Sequence, residues 1–268
     1  MLAFERRMAL AELLEQSPVL TVDDLAHRFA VSPQTVRRDF QYLEQKGLVT
    51  RTYGGAVARE DDQSGRERAF LARESERMLQ KRALAAVALD LVKPGTTVIM
   101  DASTTILELA RALPSTIQLT AIVNALPIGT ELSRRSQVSL TMLGGTLRHT
   151  SLSFSGPIAE NALRRLFVDT AFISVRGLSW QHGLAEANVS EASLKEIMVS
   201  NASSVVTIAD SSKLERMALS YFAPVNAVGV LVTDDGADPE IVARLRDAGI
   251  DVRIACTDTY PALVANRA

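Results

Sequence analysis

At 268 residues, 47% hydrophobic and 22% charged, with a net charge of −2, the chain is long enough for two domains and too apolar to be disordered. No run of about eighteen apolar residues occurs, and the start, Met1 to Arg7, lacks the charged-then-apolar plan of an export signal, so neither a membrane span nor secretion is expected and the chain is read as cytoplasmic. One cysteine, Cys256, excludes an internal disulfide, and the scattered His27, His149 and His182 offer no metal-ligand spacing, so no metal or cofactor is expected.

The first segment, with Met8, Leu10, Ala11, Leu13 and Leu14, is amphipathic and stops near Ser17-Pro18. A short helix follows. Thr21 opens it, Asp23 and Asp24 favour its positive end, and Val22, Leu25, Ala26 and Phe29 form its apolar stripe. Only Ala30 and Val31 separate this helix from the next, which begins at Ser32-Pro33: the serine accepts from a first-turn amide and the proline supplies a fixed φ where its missing N–H costs nothing. Val36, Phe40 and Leu43 recur at i, i+4 and i+7 and face a core, leaving Gln34, Thr35, Arg37, Arg38 and Gln41 outside. These are base-reading groups, since arginine pairs with guanine O6 and N7, glutamine with adenine, and a threonine methyl with thymine. The run Gly47 to Val57 is two β-prone stretches around Gly54-Gly55, as a hairpin requires, and reads as a wing.

This arrangement resembles the winged helix-turn-helix of the DeoR family of bacterial transcriptional regulators, whose motif Val-Ser-Xaa-Xaa-Thr-Xaa-Arg-Arg-Asp stands here as Val31 to Asp39, with Leu43-Glu44, Gly47-Leu48, Arg51 and Gly54-Gly55-Ala56 continuing it. The resemblance implies that double-stranded DNA is a partner, met by Ser32, Gln34, Thr35, Arg37, Arg38 and Arg51. Residues 1–58 carry seven basic and seven acidic side chains, so bulk charge does not advertise nucleic acid, but Arg37, Arg38, Lys46 and Arg51 gather at the helix and wing. So weakly charged a reader needs a second copy to bind usefully, which predicts a homodimer or homotetramer.

Residues 59–77 read as a charged linker between a DNA-binding domain, 1–58, and a larger domain, 78–268. There, Ala83 to Val92 is an apolar helical stretch ended by Pro94-Gly95, and Thr97 to Asp101 has strand length. Strand-like runs at 119–123, 138–143, 170–175, 205–209, 228–232 and 252–255 alternate with helices or loops, which predicts an α/β fold with a mostly parallel sheet. Ligands in such sheets lie beyond the carboxyl ends of the strands. Asp101-Ala102-Ser103-Thr104-Thr105 starts a helix there and offers hydroxyls and free amides to an anion, although Ser103 or Thr104 serves equally as a helix cap.

The order of Asn124, Gly144-Gly145, Arg148, Gly156-Pro157, Asp169 to Phe172, Gly183-Leu184 and Asp210 to Lys213 is similar to the sensor domain of the same family, extending the resemblance over nearly the whole chain. That domain is related in fold to ribose-5-phosphate isomerases, and the resemblance implies a phosphorylated sugar as effector. Asp101, Ser103, Thr104 and Thr105 would then hold a phosphate or sugar hydroxyl, Asn124, Gly144, Gly145 and Arg148 would line the cleft, and Lys213 would supply charge. Arg148 is equally a surface side chain after a turn, Lys213 equally a partner of Asp210, and Arg176 meets either a second anionic group or a nearby acid. Lys195 stands four residues after Glu191, the spacing of an ordinary helix ion pair, and is not expected to touch a ligand.

The competing class is a sugar-phosphate isomerase carrying a DNA-binding domain. Asp235-Gly236-Ala237-Asp238 matches the start of an isomerase pattern, but Pro239 replaces its glutamate, and the stretch reads as a turn followed by a helix cap. Ser174-Val175-Arg176 offers no general base where the isomerase chemistry needs one. The expectation is a non-enzymatic regulator, by default a repressor of a carbohydrate-utilisation operon relieved by its effector.

Overall fold

In a computed structural model of the chain, residues 6, 10, 19–45, 49–52, 55–58 and 70–257 are described. The chain divides into two compact units, 1–64 and 65–268.

The smaller unit comprises β1 (Val19–Thr21), α1 (Val22–Phe29), α2 (Pro33–Gln45), β2 (Val49–Thr52) and β3 (Gly55–Ala58). Helix α1 starts where the sequence places it, with the Thr21 side chain accepting from the Asp24 amide, and stops at Ala30, which takes a left-handed conformation at φ 51°. That residue closes the tight turn. Its N–H and that of Val31 return to the last carbonyls of α1, so the chain reverses within two residues. Leu10, Val22, Leu25, Ala26, Val36, Phe40 and Leu43 form the buried core, including the expected stripe of α2. Most of the expected first helix, and residues 46–48 and 53–54 of the hairpin, lie outside the described residues. The hairpin pairs Val49 with Ala58 and Thr52 with Gly55. A third strand, β1, adds to its free edge; the sequence reading missed it because three residues are too few to show a period.

The larger unit begins with α3 (Phe70–Ser75), a helix where the sequence suggested linker, and α4 (Met78–Leu89), which starts five residues before the expected apolar stretch. The correction has a simple cause. Phe70 is 1% exposed, and one buried aromatic residue organises a short charged helix that shows no apolar period of its own. There follow β4 (Thr97–Met100), α5 (Thr104–Ala112), β5 (Leu119–Val123), α6 (Leu126–Leu132), β6 (Val138–Met142), the hairpin β7 (Thr146–Arg148) and β8 (Ser153–Ser155), α7 (Pro157–Leu163), β9 (Val168–Ile173), β10 (Gly177–Ser179), β11 (Gly183–Glu186), α8 (Val189–Ser200), β12 (Ala202–Ile208), β13 (Ser220–Ala223), β14 (Val230–Asp234), α9 (Pro239–Asp247) and β15 (Asp251–Ala255).

Seven strands form one parallel sheet in the order β15-β14-β12-β9-β4-β5-β6. Its strands are apolar on both faces because helices cover both. Val98, Met100, Phe172, Val206 and Val232 pack with α4, α5 and α6, while Ile99, Ala171, Ile173, Val205 and Leu231 pack with α7, α8 and α9. The expected 228–232 strand begins instead at Val230, because Val225–Ala227 form a 3-10 turn. A small antiparallel sheet, β10-β11-β13, lies beside the large one. Central strands β4, β5, β9 and β12 all end on one edge, and that edge gathers the candidate residues.

Candidate functional sites

In the smaller unit the sequence Arg37-Arg38-Asp39 divides by helical geometry. Each residue turns about 100°, so Arg37 and Arg38 are exposed while Asp39 swings into the core. The buried Asp39 carboxylate accepts from Arg6 Nε at 2.6 Å, tying the amino-terminal segment to α2. Ser32 and Gln34 are exposed beside the two arginines and Thr35 is half-buried. The Ser32 hydroxyl accepts from the Thr35 amide at 3.2 Å and shares a 2.9 Å hydrogen bond with its side chain, so both hydroxyls are engaged in the helix cap. Arg51 lies on β2, and its side chain is outside the described residues.

In the larger unit Asp101, Ser103, Thr104, Thr105 and Asn124 do come together, at the carboxyl ends of the paired strands β4 and β5. All five are buried. Ser103 caps α5 by accepting from the Ile106 amide at 3.1 Å. Asn124 donates to the Phe154 carbonyl at 3.1 Å, while its Oδ1 has no hydrogen-bond partner. Asp101 Oδ2 accepts from the Ser174 amide at 3.0 Å and pairs with Lys195 at 2.7 Å. Its Oδ1 forms no hydrogen bond, although Ser103 lies near enough to favour the ionised carboxylate.

Lys195 is the main site residue that sequence reasoning set aside. The expected helix pair with Glu191 does not form; instead its ammonium reaches Asp101, Glu186 Oε2 at 2.6 Å and the Ser174 carbonyl at 2.7 Å, which uses all three donors. Glu191 turns to Ser153, accepting its hydroxyl at 2.8 Å, and to Arg148 at 3.4 Å. A signal was present in the pattern: Glu191, Leu194, Lys195 and Met198 fall on the buried stripe of α8, so two charges sit where apolar residues belong. Burial works to lower the Lys195 pKa, but the two carboxylates outweigh it and raise it. Burial pushes Glu186 up, but the lysine's charge prevails and holds it below its ordinary value. Asp101, with no exposure at all, is raised by burial against the pull of Lys195.

The remaining candidates sit around this cluster. Gly145 has a φ of +144°, and a Cβ there would meet the Ser155 carbonyl at 2.7 Å, so glycine is required for the β7–β8 hairpin to close; Gly144 faces open space. Arg148 is on β7, and its pairing with Glu191 and with Ser151 at 3.4 Å makes it part of the cluster rather than a bare surface side chain. Arg176 is half-buried, with its N–H donating to the Ala185 carbonyl at 2.9 Å. Lys213 ends the 3-10 turn Ser211–Lys213 and is half-buried; the Asp210 carboxylate that opens this turn accepts from the Ser212 amide at 3.1 Å and pairs with Arg77 at 3.4 Å. The isomerase-like stretch serves structure: Asp235 accepts from Thr257 and Asp238 caps α9 by accepting from the Glu240 amide at 2.8 Å. The strand end Ser174-Val175-Arg176 carries no carboxylate, yet Asp101 and Glu186 are brought beside it from β4 and β11, both locked to Lys195.

A helix-turn-helix with two outward arginines, ahead of a parallel sheet with a polar strand-end cluster, matches two family descriptions: DeoR-like helix-turn-helix domain over residues 6–62 and DeoR C terminal sensor domain over 76–235. The chain belongs to the DeoR family. It is 36% identical over 252 residues to the uncharacterised HTH-type transcriptional regulator YulB of Bacillus subtilis, covering 94% of this chain and 96% of that one. It is 34% identical to the regulator GlpR of Haloferax volcanii, covering 94% and 98%, and 35% identical to the transcriptional repressor AccR of Agrobacterium fabrum, covering 87% and 90%. Among solved structures, ribose-5-phosphate isomerase A of Methanocaldococcus jannaschii is 18% identical, covering 53% of this chain and 57% of that one with a TM-score of 0.39. The topology of this DeoR-family sensor unit therefore rests on its own strand order. Among the described residues no helix is long and apolar enough to cross a membrane.

Proposed function

We propose that this DeoR-family regulator represses a carbohydrate-utilisation operon and that a phosphorylated sugar, bound at the carboxyl ends of β4 and β5, controls its hold on operator DNA. The observation that carries the DNA half is the outward placement of Arg37 and Arg38 on the helix whose opposite stripe is the unit's core. In this reading α2 enters the major groove, Arg37 and Arg38 reach bases or phosphates, Gln34 and Thr35 face base edges, Ser32 holds the helix start against the backbone, and Arg51 on the wing meets phosphate. Two copies of the chain present two such helices to half-sites.

For the sensor half, Asp101, Ser103, Thr104, Thr105 and Asn124 form the floor, Gly144, Gly145 and Arg148 one wall, and Arg176 and Lys213 the cationic periphery. The start of α5 offers amides to an anion. Asp101 and Glu186 are both paired with Lys195, which favours sensing over turnover.

Arg38→Ala is expected to weaken operator binding and relax base preference by ~1–3 kcal/mol while sparing effector binding. Lys213→Ala should do the opposite. A thermal-shift screen of pentose and hexose phosphates and sugar acids identifies the effector, since a ligand at a hundred times its Kd stabilises the native state by about 2.7 kcal/mol. Steady turnover of any of these compounds by the purified chain would rule the reading out.

A further inference from the structure

The strand-end cluster combines two properties that pull against each other. Asp101 Oδ1 and Asn124 Oδ1 are acceptors without a hydrogen bond, yet Asp101 is 0% and Asn124 3% exposed. Unmatched buried acceptors are uncommon and call for a donor. Sugar hydroxyls are donors of that kind, whereas a phosphate set against the Asp101 carboxylate would bring like charges together. Nothing reaches these atoms unless a cover moves; a cavity of about 410 Å³, lined by Gly95, Gln118, Ser136 and Gln137 among others, opens at the opposite, amino edge of the sheet.

Two elements flank the cluster, and they are fastened differently. The β7–β8 hairpin is stitched down by main chain: the Phe154 N–H donates to the Asn124 carbonyl at 2.7 Å, the Leu126 N–H to the Leu152 carbonyl at 2.9 Å, and Ala125 bridges Ser153. Among the described residues, helix α3 has one such bond to the hairpin loop, from the Phe70 N–H to the Thr150 carbonyl at 2.6 Å. Its other ties run through side chains. Phe70 is buried, Glu74 pairs with Arg111 at 2.7 Å, and Lys81 donates to the carbonyls of Arg73 and Glu74. Immediately after it Arg77 pairs with Asp210 at the end of β12. Arg77 also has a φ of 49°, a left-handed conformation that strains any residue with a side chain, so this junction is held rather than relaxed. The charge of Arg73 helps to hold the Glu186 carboxyl below its ordinary value.

We propose that α3 is the lid of the strand-end cleft, and that entry of a polyhydroxy ligand withdraws it by releasing the Arg77–Asp210 and Glu74–Arg111 latches. Only residues 59–69 separate Phe70 from the last wing strand, so α3 is the first described element after the smaller unit. The part of this inference that names a ligand rests on the effector reading above; the lid itself does not.

The test is hydrogen exchange on the full chain carrying Glu74→Gln and Arg77→Asn. Both side chains are partly exposed, and asparagine tolerates a positive φ, so the fold is retained while both latches are lost. Without ligand, the Ser174 amide, which donates to Asp101, is expected to exchange at least ~10-fold faster than in the wild type, together with the α3 amides. Faster exchange in α3 with Ser174 unchanged overturns the lid, and so does unchanged exchange in both. With a panel of aldose, ketose and alditol monophosphates, the variant should bind the active compound with a faster on-rate, and its ligand-free DNA affinity should move towards that of the saturated wild type. If no panel member binds and no duplex is retained, the regulator reading fails while Ser174 exchange still decides the lid.

Discussion

The two units use the same charged residue types to opposite ends. On α2 the arginines project outward and only Asp39, paired with Arg6, turns in; at the strand ends Lys195 is enclosed and pairs with Asp101 and Glu186, while Glu191 is enclosed and pairs with Ser153 and Arg148. A DNA reader needs unspent donors, because its partner supplies the acceptors. A receptor for a small polar molecule needs a floor that holds its shape before the ligand arrives, which a closed network of buried ions provides at the cost of desolvating them. The difference shows that the role of a charge in this chain follows from its enclosure rather than from its type.

The sharpest way to break that contrast is Lys195→Ala. Removing the ammonium strands two buried carboxylates, and the larger unit should lose about 3–5 kcal/mol in denaturant unfolding, whereas an outward cation such as Arg37 should alter stability by less than ~0.5 kcal/mol when replaced by alanine. Equal losses would erase the distinction.

A second buried lysine gives a pH signature. Burial lowers the Lys81 pKa from 10.5 to about 8, against the pull of Glu76 and Asp210. Between those values the unfolded chain binds the proton and the folded chain does not, so stability should rise with pH across the window, by about 3 kcal/mol. Lys81→Met should flatten the rise. Glu186 predicts the acid limb: its folded pKa is depressed, so its contribution is present above the ordinary carboxylate range and is lost as pH falls through the folded value, an effect that Glu186→Gln should remove.

The smallest effect sharpens the comparison on the DNA side. Ser32→Ala removes the α2 cap and should cost the smaller unit about 1 kcal/mol, with Ser32→Gly costing only a few tenths. A larger loss of DNA affinity than of stability would give the hydroxyl a contact of its own.

Much of this was legible in residue order. The stripe Val36, Phe40, Leu43, the caps at Thr21 and Ser32, and the alternating apolar runs of the large sheet are local patterns, fixed by a period of 3.6 or by short buried runs, and the structure has them close to where the pattern puts them. The residues after β4 and β5 were placed at one edge by the rule for parallel sheets. Helix α3 was not legible, since its order comes from a single buried phenylalanine and ties to Thr150 and Arg111 far along the chain.

By itself the sequence determined two units, the faces of their helices and the two outward arginines, because those depend on neighbours within a turn or two. Tertiary structure alone decided that Lys195 turns from Glu191 to Asp101, 94 residues away, and that the candidate effector residues lie closed beneath their neighbours. The physical reason is that burial of a charge is set by which distant carboxylates and carbonyls converge on it, and spacing along a helix cannot report that.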